Sequence, residues 1–197
     1  MNPTPVQNIA PFINKEFTVV SEWWKERINP VTGLTEIHKG LDISTYDNDP
    51  VYSMLKGHIH SKGYTSTAGN WVIIVDDIVG SRTYGYATRY LHLRDSVLLN
   101  VGDPIEKDAQ VGIEGTTGES TGIHLHLEMQ NISLFNWEWH FSNNQSDYIN
   151  PCEFMGIDNV QGTKWIYEIT PDVEIKEDKF PWVLYAEMLR DDEEYNN

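Results

Sequence analysis

The sequence predicts a mainly β protein built on an antiparallel sheet. Short runs rich in Val, Ile, Tyr and Trp recur at intervals of roughly 8 to 12 residues, as strands of all-β domains do. Gly, Pro, Asn and Asp separate these runs, and they favour tight turns over helices. Helical periodicity is weak up to residue 151. Together these features are typical of an antiparallel all-β domain.

The elements follow one another in a simple order. Residues 1–24 form a lead-in in which Pro and Asn stand among isolated apolar residues. The segment 19–27, which contains two tryptophans, favours a strand or an irregular segment, and 29–33 is a turn because Pro sets φ and Gly permits left-handed backbone. The strand-like runs are 37–43, 51–55, 58–61, 71–75, 83–93, 110–113 and 123–129.

The composition changes after residue 155. We therefore divide the chain into the lead-in 1–24, a main domain 25–155 and an acidic C-terminal extension 156–197. The extension contains one further candidate strand at 165–169. It also contains the best helix candidate, 181–190, which has a proline at a favourable first position. The ending D-D-E-E-Y-N-N is typical of a solvated tail.

Composition excludes several classes of function. With 197 residues, of which 40% are hydrophobic, the chain is long enough to bury a core. The net charge of -16 argues against a nucleic-acid partner, because phosphate binding requires clustered Lys and Arg. No run approaches the ~18 apolar residues of a membrane span, and the N-terminus shows no signal-peptide pattern. Cys152, the single cysteine, cannot form an intrachain disulfide.

The richest stretch for chemistry is 118–128, G-E-S-T-G-I-H-L-H-L-E. Apolar and polar residues alternate there, so His124 and His126 project from one face of a predicted strand, about 6.6 Å apart at Cα. The aliphatic residues on the opposite face fix the register. Two imidazoles held in this way suit a metal, or a metal ligand beside a proton-transfer group.

A second cluster lies in I-H-K-G-L-D-I, where His38 and Asp42 are four residues apart. On a straight strand they would be separated by about 13 Å, too far to share one ion. A helix is disfavoured by Gly40, so we expect a bend, for which glycine tolerates unusual backbone angles. His92, in Y-L-H-L, is a fifth candidate, because it too interrupts an aliphatic run.

Taken together, these residues resemble the lysostaphin/LytM-type zinc metalloendopeptidases, which are peptidoglycan hydrolases. The motifs that match in order and spacing are His38-x-x-x-Asp42, Tyr90-Leu91-His92-Leu93 and Gly118-x-x-Thr121-Gly122-x-His124-Leu125-His126-Leu127-Glu128. Supporting matches are Arg27-x-Asn29-Pro30-x-Thr32-Gly33, Gly102-Asp103-Pro104-Ile105 and Tyr148-Ile149-Asn150-Pro151. The resemblance covers roughly residues 25–151.

The resemblance implies a compact, two-layer antiparallel β-sheet peptidase domain with a narrow groove. It implies that His38, Asp42 and His126 hold one Zn²⁺ per chain, and that His92 and His124 are the unliganded catalytic pair. The expected reaction is hydrolysis of peptide bonds in peptidoglycan cross-links or stems. A zinc-activated water would attack, and the two histidines would transfer protons and stabilise the oxyanion. The expected partner is a peptidoglycan peptide in the bacterial cell wall, reached from a phage particle or after lysis.

Other interpretations of the same residues stay open from the sequence. The chief alternative is a non-catalytic scaffold or activator of the same fold. A cupin-like enzyme would expect a glutamate where Gln130 and Asn131 stand, and a two-histidine, one-carboxylate iron oxygenase would expect a closer His–Asp pair than the sequence has. His58 and His60 repeat the two-residue spacing without flanking motifs, which favours a solvated strand face for them.

Overall fold

A computed structural model describes residues 9–132 and 144–169 of the chain. Within these ranges it contains strands, a 3-10 helix at Gln145–Asp147 and a short helix, α1, at Pro151–Met155. The strands are β1 (Glu16–Ser21), β2 (Lys25–Ile28), β3 (Thr35–His38), β4 (Leu41–Ser44), β5 (Pro50–Tyr52), β6 (Gly57–Thr65), β7 (Gly69–Val75), β8 (Tyr86–Leu93), β9 (Pro104–Ile105), β10 (Gln110–Ile113), β11 (Leu125–Asn131) and β12 (Lys164–Ile166).

Eight of these strands form one antiparallel sheet. Its order is β12-β1-β4-β11-β8-β7-β6-β9. Two smaller sheets accompany it, the β2–β3 hairpin and the β5–β10 pair. The prediction of a mainly β, antiparallel fold is therefore confirmed. At the centre of the large sheet, β11 lies between β4 and β8, the strands that carry Asp42 and His92.

The core fixes the register of these central strands. On β11, Leu125, Leu127 and Met129 are fully buried, and on β4 so are Leu41 and Ile43. Burying one such side chain contributes about 1.5 to 3 kcal/mol, so a one-residue slip that exposed the set would be strongly unfavourable. This register pairs His126 directly with Asp42 across the two strands.

Segments outside the predicted main domain contribute to the same sheet. Strand β1, from the lead-in, pairs with β4 on one side and with β12, from the extension, on the other. Phe12 and Phe17 are buried with their ring centroids 5.8 Å apart. The side chain of Asn159 accepts from the Trp23 backbone N–H at 2.8 Å and donates to its carbonyl at 3.0 Å. The boundaries at residues 25 and 155 stay a proposal.

The predicted run 37–43 is divided between two sheets. Strand β3 ends at His38 and pairs with β2, whereas β4 begins at Leu41 and lies in the large sheet. The break at 39–40 supplies the expected bend. The candidate strand at 165–169 corresponds to β12, while the predicted helix 181–190 and the acidic ending lie outside the described residues. In the described part of the chain, no helix is long and apolar enough to cross a membrane.

Candidate metal centre

Three predicted metal ligands converge where the β2–β3 hairpin meets the large sheet. His38 Nε2 and His126 Nδ1 lie 3.1 and 2.8 Å from Asp42 Oδ1, and 3.0 Å from each other. We call these three atoms the donor cluster. His38 and Asp42 are buried and His126 is half-buried. Among the described residues, this is the group of histidine, cysteine and acidic side chains whose geometry could hold a metal ion.

The outer nitrogen of each ligand ring has its own partner. His38 Nδ1 donates to the Glu22 carbonyl oxygen at 2.8 Å, so Nε2 faces the donor cluster. His126 Nε2 lies 3.2 Å from Glu128 Oε1, so in this ring Nδ1 is the nitrogen that faces the donor cluster. Metal-binding histidines generally have such a partner, because it fixes ring orientation and tautomer.

The donor cluster has the chemistry and the spacing of a catalytic zinc site. Two imidazole nitrogens and one carboxylate oxygen, with one position left for water, are a typical catalytic donor set. With ligand distances of about 2.0 to 2.1 Å, donor atoms of a tetrahedral site lie about 3.3 Å apart. The observed separations of 2.8 to 3.1 Å need only a small expansion. The residues present therefore fit Zn²⁺.

The close contacts within the donor cluster shift the pKa values of Asp42 and His126 in the metal-free protein. Burial alone would raise the pKa of Asp42, but hydrogen bonds from His126 and His38 hold that pKa well below its usual value. Burial alone would lower the pKa of His126, yet its contacts with Asp42 and Glu128 raise it to about 9. At neutral pH the metal-free site therefore holds a proton on His126, which a bound cation would have to displace.

Gly40 contributes space rather than an unusual backbone angle. It is not among the glycines with positive φ, so the bend does not depend on left-handed backbone there. A Cβ atom at this position would lie 2.2 Å from Nε2 of His126 and 2.5 Å from Cε1 of the same ring. The glycine is needed because an imidazole occupies the volume of its missing side chain.

His92, one of the two predicted catalytic histidines, is held in a constrained geometry. It is buried on β8 with φ of 60°, a left-handed angle that is uncommon outside glycine and often found at functional sites. Its Nδ1 donates to the Thr117 carbonyl oxygen at 2.8 Å, which leaves Nε2 as the acceptor. Burial, followed by the neighbouring His126 and His124, lowers the pKa of His92 to about 4.

His124, the second predicted catalytic histidine, is held in the same tautomer as His92. Its Nδ1 lies 2.9 Å from the Gly122 carbonyl oxygen and 3.2 Å from Ser120 Oγ, so Nε2 is again the acceptor. That Nε2 atom lies 3.7 Å from Asp42 Oδ1. Burial lowers its pKa as well. His124 precedes β11 and joins the sheet through a single bridge to Gly115, so the strand begins two residues later than predicted. The His92 and His124 rings are 4.8 Å apart.

A cavity of about 590 Å³ opens above the donor cluster. One wall is the segment 20–31, which includes β2, and the other is the loop 119–123. Asp42, His92, His124 and His126 all line this cavity. Gln161, from the predicted extension, also lines it. A peptide chain could therefore reach both the donor cluster and the two free imidazoles from one groove.

The remaining histidine pair is separate from this site. His58 and His60 lie on β6, three strands from β11 in the large sheet, which is about 14 Å at the usual strand spacing. His58 Nδ1 lies 3.2 Å from Asp77 Oδ1, and neither histidine lines the cavity. The sequence favoured a solvated strand face for them; the structure places both on a strand, where they are half-buried.

Two residues that hold site side chains in place were not predicted from the sequence. Arg27 donates to Asp42 Oδ2 at 2.9 Å, and the Thr117 carbonyl holds His92. The alternation in K-E-R-I would have placed Arg27 and Lys25 on one face of a strand, but nothing in it indicates which partners lie across the sheet. Thr117 acts through its backbone carbonyl, which every residue has, so the identity of its side chain could not have indicated this role.

Comparisons with known proteins agree with the motifs. The model of peptidase family M23 matches residues 36–151. An uncharacterized metalloprotease of Buchnera aphidicola is 32% identical over 129 residues, covering 66% of this chain and 32% of its own length. Peptidoglycan DD-endopeptidase ShyB of Vibrio cholerae is 35% identical over 111 residues, 56% of this chain and 24% of its own length. The chain thus spans a third or less of these relatives.

Likeness in fold extends to lysostaphin. The structure of this antimicrobial peptidase from Staphylococcus simulans has a TM-score of 0.53 and 21% identity, and the match covers 71% of this chain and 50% of that one. The family match favours an M23 fold over the cupin-like and iron-oxygenase alternatives. Because the family model covers more than half of the sequence, and the motifs fall inside the matched range, the chain belongs to peptidase family M23.

Proposed function

We propose that this chain is a zinc-dependent endopeptidase that hydrolyses peptide bonds in bacterial peptidoglycan cross-links or stems. In this proposal His38, Asp42 and His126 hold one Zn²⁺, and His92 and His124 are the catalytic pair. The observation that carries the proposal is the donor cluster, with atoms 2.8 to 3.1 Å apart beside two imidazoles whose Nδ1 atoms are held by backbone carbonyls. The substrate class is supported by the relatives named as peptidoglycan endopeptidases.

In the proposed mechanism the metal and the two histidines have different chemical roles. When bound, zinc supplies Lewis-acid polarisation of the scissile carbonyl and lowers the pKa of a water molecule to about 7. Because burial lowers the pKa values of His92 and His124, both rings are neutral at pH 7 and can accept a proton at Nε2. Nε2 of one ring accepts the proton of the attacking water; the ring that becomes protonated then donates this N–H toward the developing oxyanion and passes the proton to the leaving amine.

Action at the cell wall follows from the proposed substrate. The relatives ShyB and ShyA are named for peptidoglycan cleavage, and the groove beside the donor cluster has room for a short peptide. Delivery by a phage particle or through lysis belongs to the same proposal. The competing function, a non-catalytic scaffold, has no specific observation in its favour, because all five site residues are present.

Digestion of purified peptidoglycan tests the proposal. Sacculi with direct cross-links, sacculi with glycine bridges and uncross-linked stems are incubated with the protein, and soluble fragments are identified by mass spectrometry. We expect new peptide termini from at least one wall type, and none in a parallel reaction with a chelator. A protein that holds zinc but cleaves none of these walls would support the scaffold alternative instead.

A further inference from the structure

Strand β2 of the β2–β3 hairpin lines the groove, and the side chain of its Arg27 contacts Asp42 of the donor cluster. We propose that Arg27 is a positioning residue that aims one oxygen of Asp42 at the donor cluster, while Glu36 cancels the charge of its guanidinium. This inference rests on the proposed zinc site. It adds two residues that are not ligands of the metal but determine how well the metal is held.

The first step is the geometry of the carboxylate. Arg27 Nη1 donates to Asp42 Oδ2 at 2.9 Å and to Ser21 Oγ at 2.8 Å. The second oxygen, Oδ1, is the one that lies within 3.1 Å of both ligand rings. Asp42 is buried, so a freely rotating carboxylate would have to give up hydrogen bonds that water cannot replace. Arg27 therefore keeps Oδ1 in the donor cluster.

The second step concerns charge. A guanidinium beside a metal ligand repels the incoming cation and weakens the ligand's negative charge. Glu36 offsets this effect, because its Oε1 accepts from Arg27 Nε at 2.9 Å, whereas Asp42 accepts from Nη1. The other carboxylate oxygen of Glu36, Oε2, accepts from Asn29 Nδ2, so both of its oxygens are held by donors. The Arg27–Glu36 pair therefore orients the Asp42 carboxylate while adding little net charge beside the donor cluster.

The third step links the hairpin tip to the same network. Asn29 Nδ2 donates to Glu36 Oε2 at 2.9 Å, while Asn29 Oδ1 accepts from the backbone N–H groups of Val31 and Thr32 at 2.8 and 3.0 Å. One unbroken series of hydrogen bonds thus runs from the exposed turn to the Asp42 carboxylate. The wall that would contact the substrate and the ligand that would contact the metal are therefore positioned together.

The test measures zinc affinity rather than turnover. The metal-free full chain is titrated with zinc against a chromophoric chelator, for wild type, Arg27→Met and the matched control Arg94→Met. Arg94 forms an exposed ion pair with Asp95 away from the donor cluster. We expect the Kd for zinc to rise about 10- to 100-fold in Arg27→Met, as is typical for loss of a partner of a ligand. The control should be unchanged.

A second set of variants separates orientation from charge. Glu36→Gln should weaken zinc binding while Arg27 is present, because the guanidinium is then uncompensated. In the Arg27→Met background the same change should have no further effect, so the two losses are not additive. Glu106→Gln, which breaks an exposed pair with Lys56, is its control. Arg27→Lys should restore part of the affinity, since one charged donor can still reach Asp42.

The outcomes distinguish this inference from the function on which it rests. Wild-type protein that binds no zinc would overturn the metal site and the inference together. Wild type that binds one zinc, with Arg27→Met equal to it, would overturn the inference alone. So would additive losses in the double variant. If Arg27→Met does not fold, Arg27→Lys and Glu36→Gln decide the matter, and unchanged affinity in both would overturn it.

Discussion

At the scale of single residues, the partners of the outer ring nitrogens explain how four histidines differ. His38 and His126 turn their free nitrogens toward Asp42, because their other nitrogens meet the Glu22 carbonyl and Glu128. His92 and His124 donate from Nδ1 to backbone carbonyls, which leaves Nε2 of each ring as the acceptor, and both residues line the groove. Four rings of one residue type can thus form two pairs with different tasks.

Alanine substitutions test this division. His126→Ala should release zinc, because it removes one atom of the donor cluster. His124→Ala should keep zinc and reduce turnover by about 10²- to 10⁴-fold, the usual contribution of a proton-transfer group. Metal content per chain and the rate of peptide cleavage are measured for both. Equal loss of metal in the two variants would contradict the assigned roles.

Zinc binding should also release a proton. The pKa of His126 is raised to about 9 in the metal-free protein, so below that pH its ring carries a proton that the ion must displace. The affinity should therefore rise with pH up to about 9 and then level off. Calorimetry at pH 7.5 in buffers of different ionisation enthalpy measures the release, and we expect between one and two protons per zinc, one from His126 and part of another from the metal-bound water. Heats that do not depend on the buffer would exclude it.

At the scale of elements, some strands were predictable and others were not. Strand β10 coincides with the predicted run 110–113, because turn residues flank it on both sides. The run 37–43 was predicted as one piece, yet β3 and β4 belong to different sheets. Alternation of apolar residues reports burial but does not encode which strand is the neighbour, so the division was not visible in the sequence.

The junction between β3 and β4 gives a sharp prediction. Gly40→Ala should weaken zinc binding by more than about tenfold, because the new methyl group would meet the His126 ring at 2.2 Å and displace it. Gly122→Ala is the matched control for metal content, since a Cβ there meets nothing within 4 Å. Zinc affinity is measured as for the arginine variants. Equal affinities in both glycine variants would show that the ring does not need this space.

The connection between the lead-in and the extension can be tested by stability. Asn159→Ala removes two hydrogen bonds to the Trp23 backbone and should lower the free energy of unfolding by about 1 to 3 kcal/mol. The exposed Asn100→Ala should stay within about 0.5 kcal/mol of wild type. Urea unfolding of the metal-free proteins measures both. A change no larger than the control would mean that this contact does not hold the segment in place.

At the scale of the whole molecule, the site depends on residues that are far apart in sequence. The three residues that Arg27 contacts are 6, 9 and 15 positions away, and His126 is 84 positions from Asp42. The family pattern of motifs pointed to the five histidine and aspartate residues of the proposed site, and the structure brings His38, Asp42 and His126 together. The supporting network was not predictable, because it depends on the hairpin folding back over the sheet.

The groove also contains residues from outside the range 36–151 that the family model matches. Its walls include residues 20–31, before the matched range, and Gln161, after it. The sheet is likewise continued by β1 and β12, whose strands come from both flanks. We therefore expect substrate preference to depend on these flanking segments, while the chemistry depends on residues inside the matched range.

The most direct test of the central claim is a zinc titration of the metal-stripped full chain, followed by the release of new amino groups from purified peptidoglycan. We predict that activity rises with added zinc, reaches a plateau at one equivalent, and is absent at every zinc concentration in Asp42→Ala. Undiminished cleavage by the stripped protein, or by Asp42→Ala, would contradict the account.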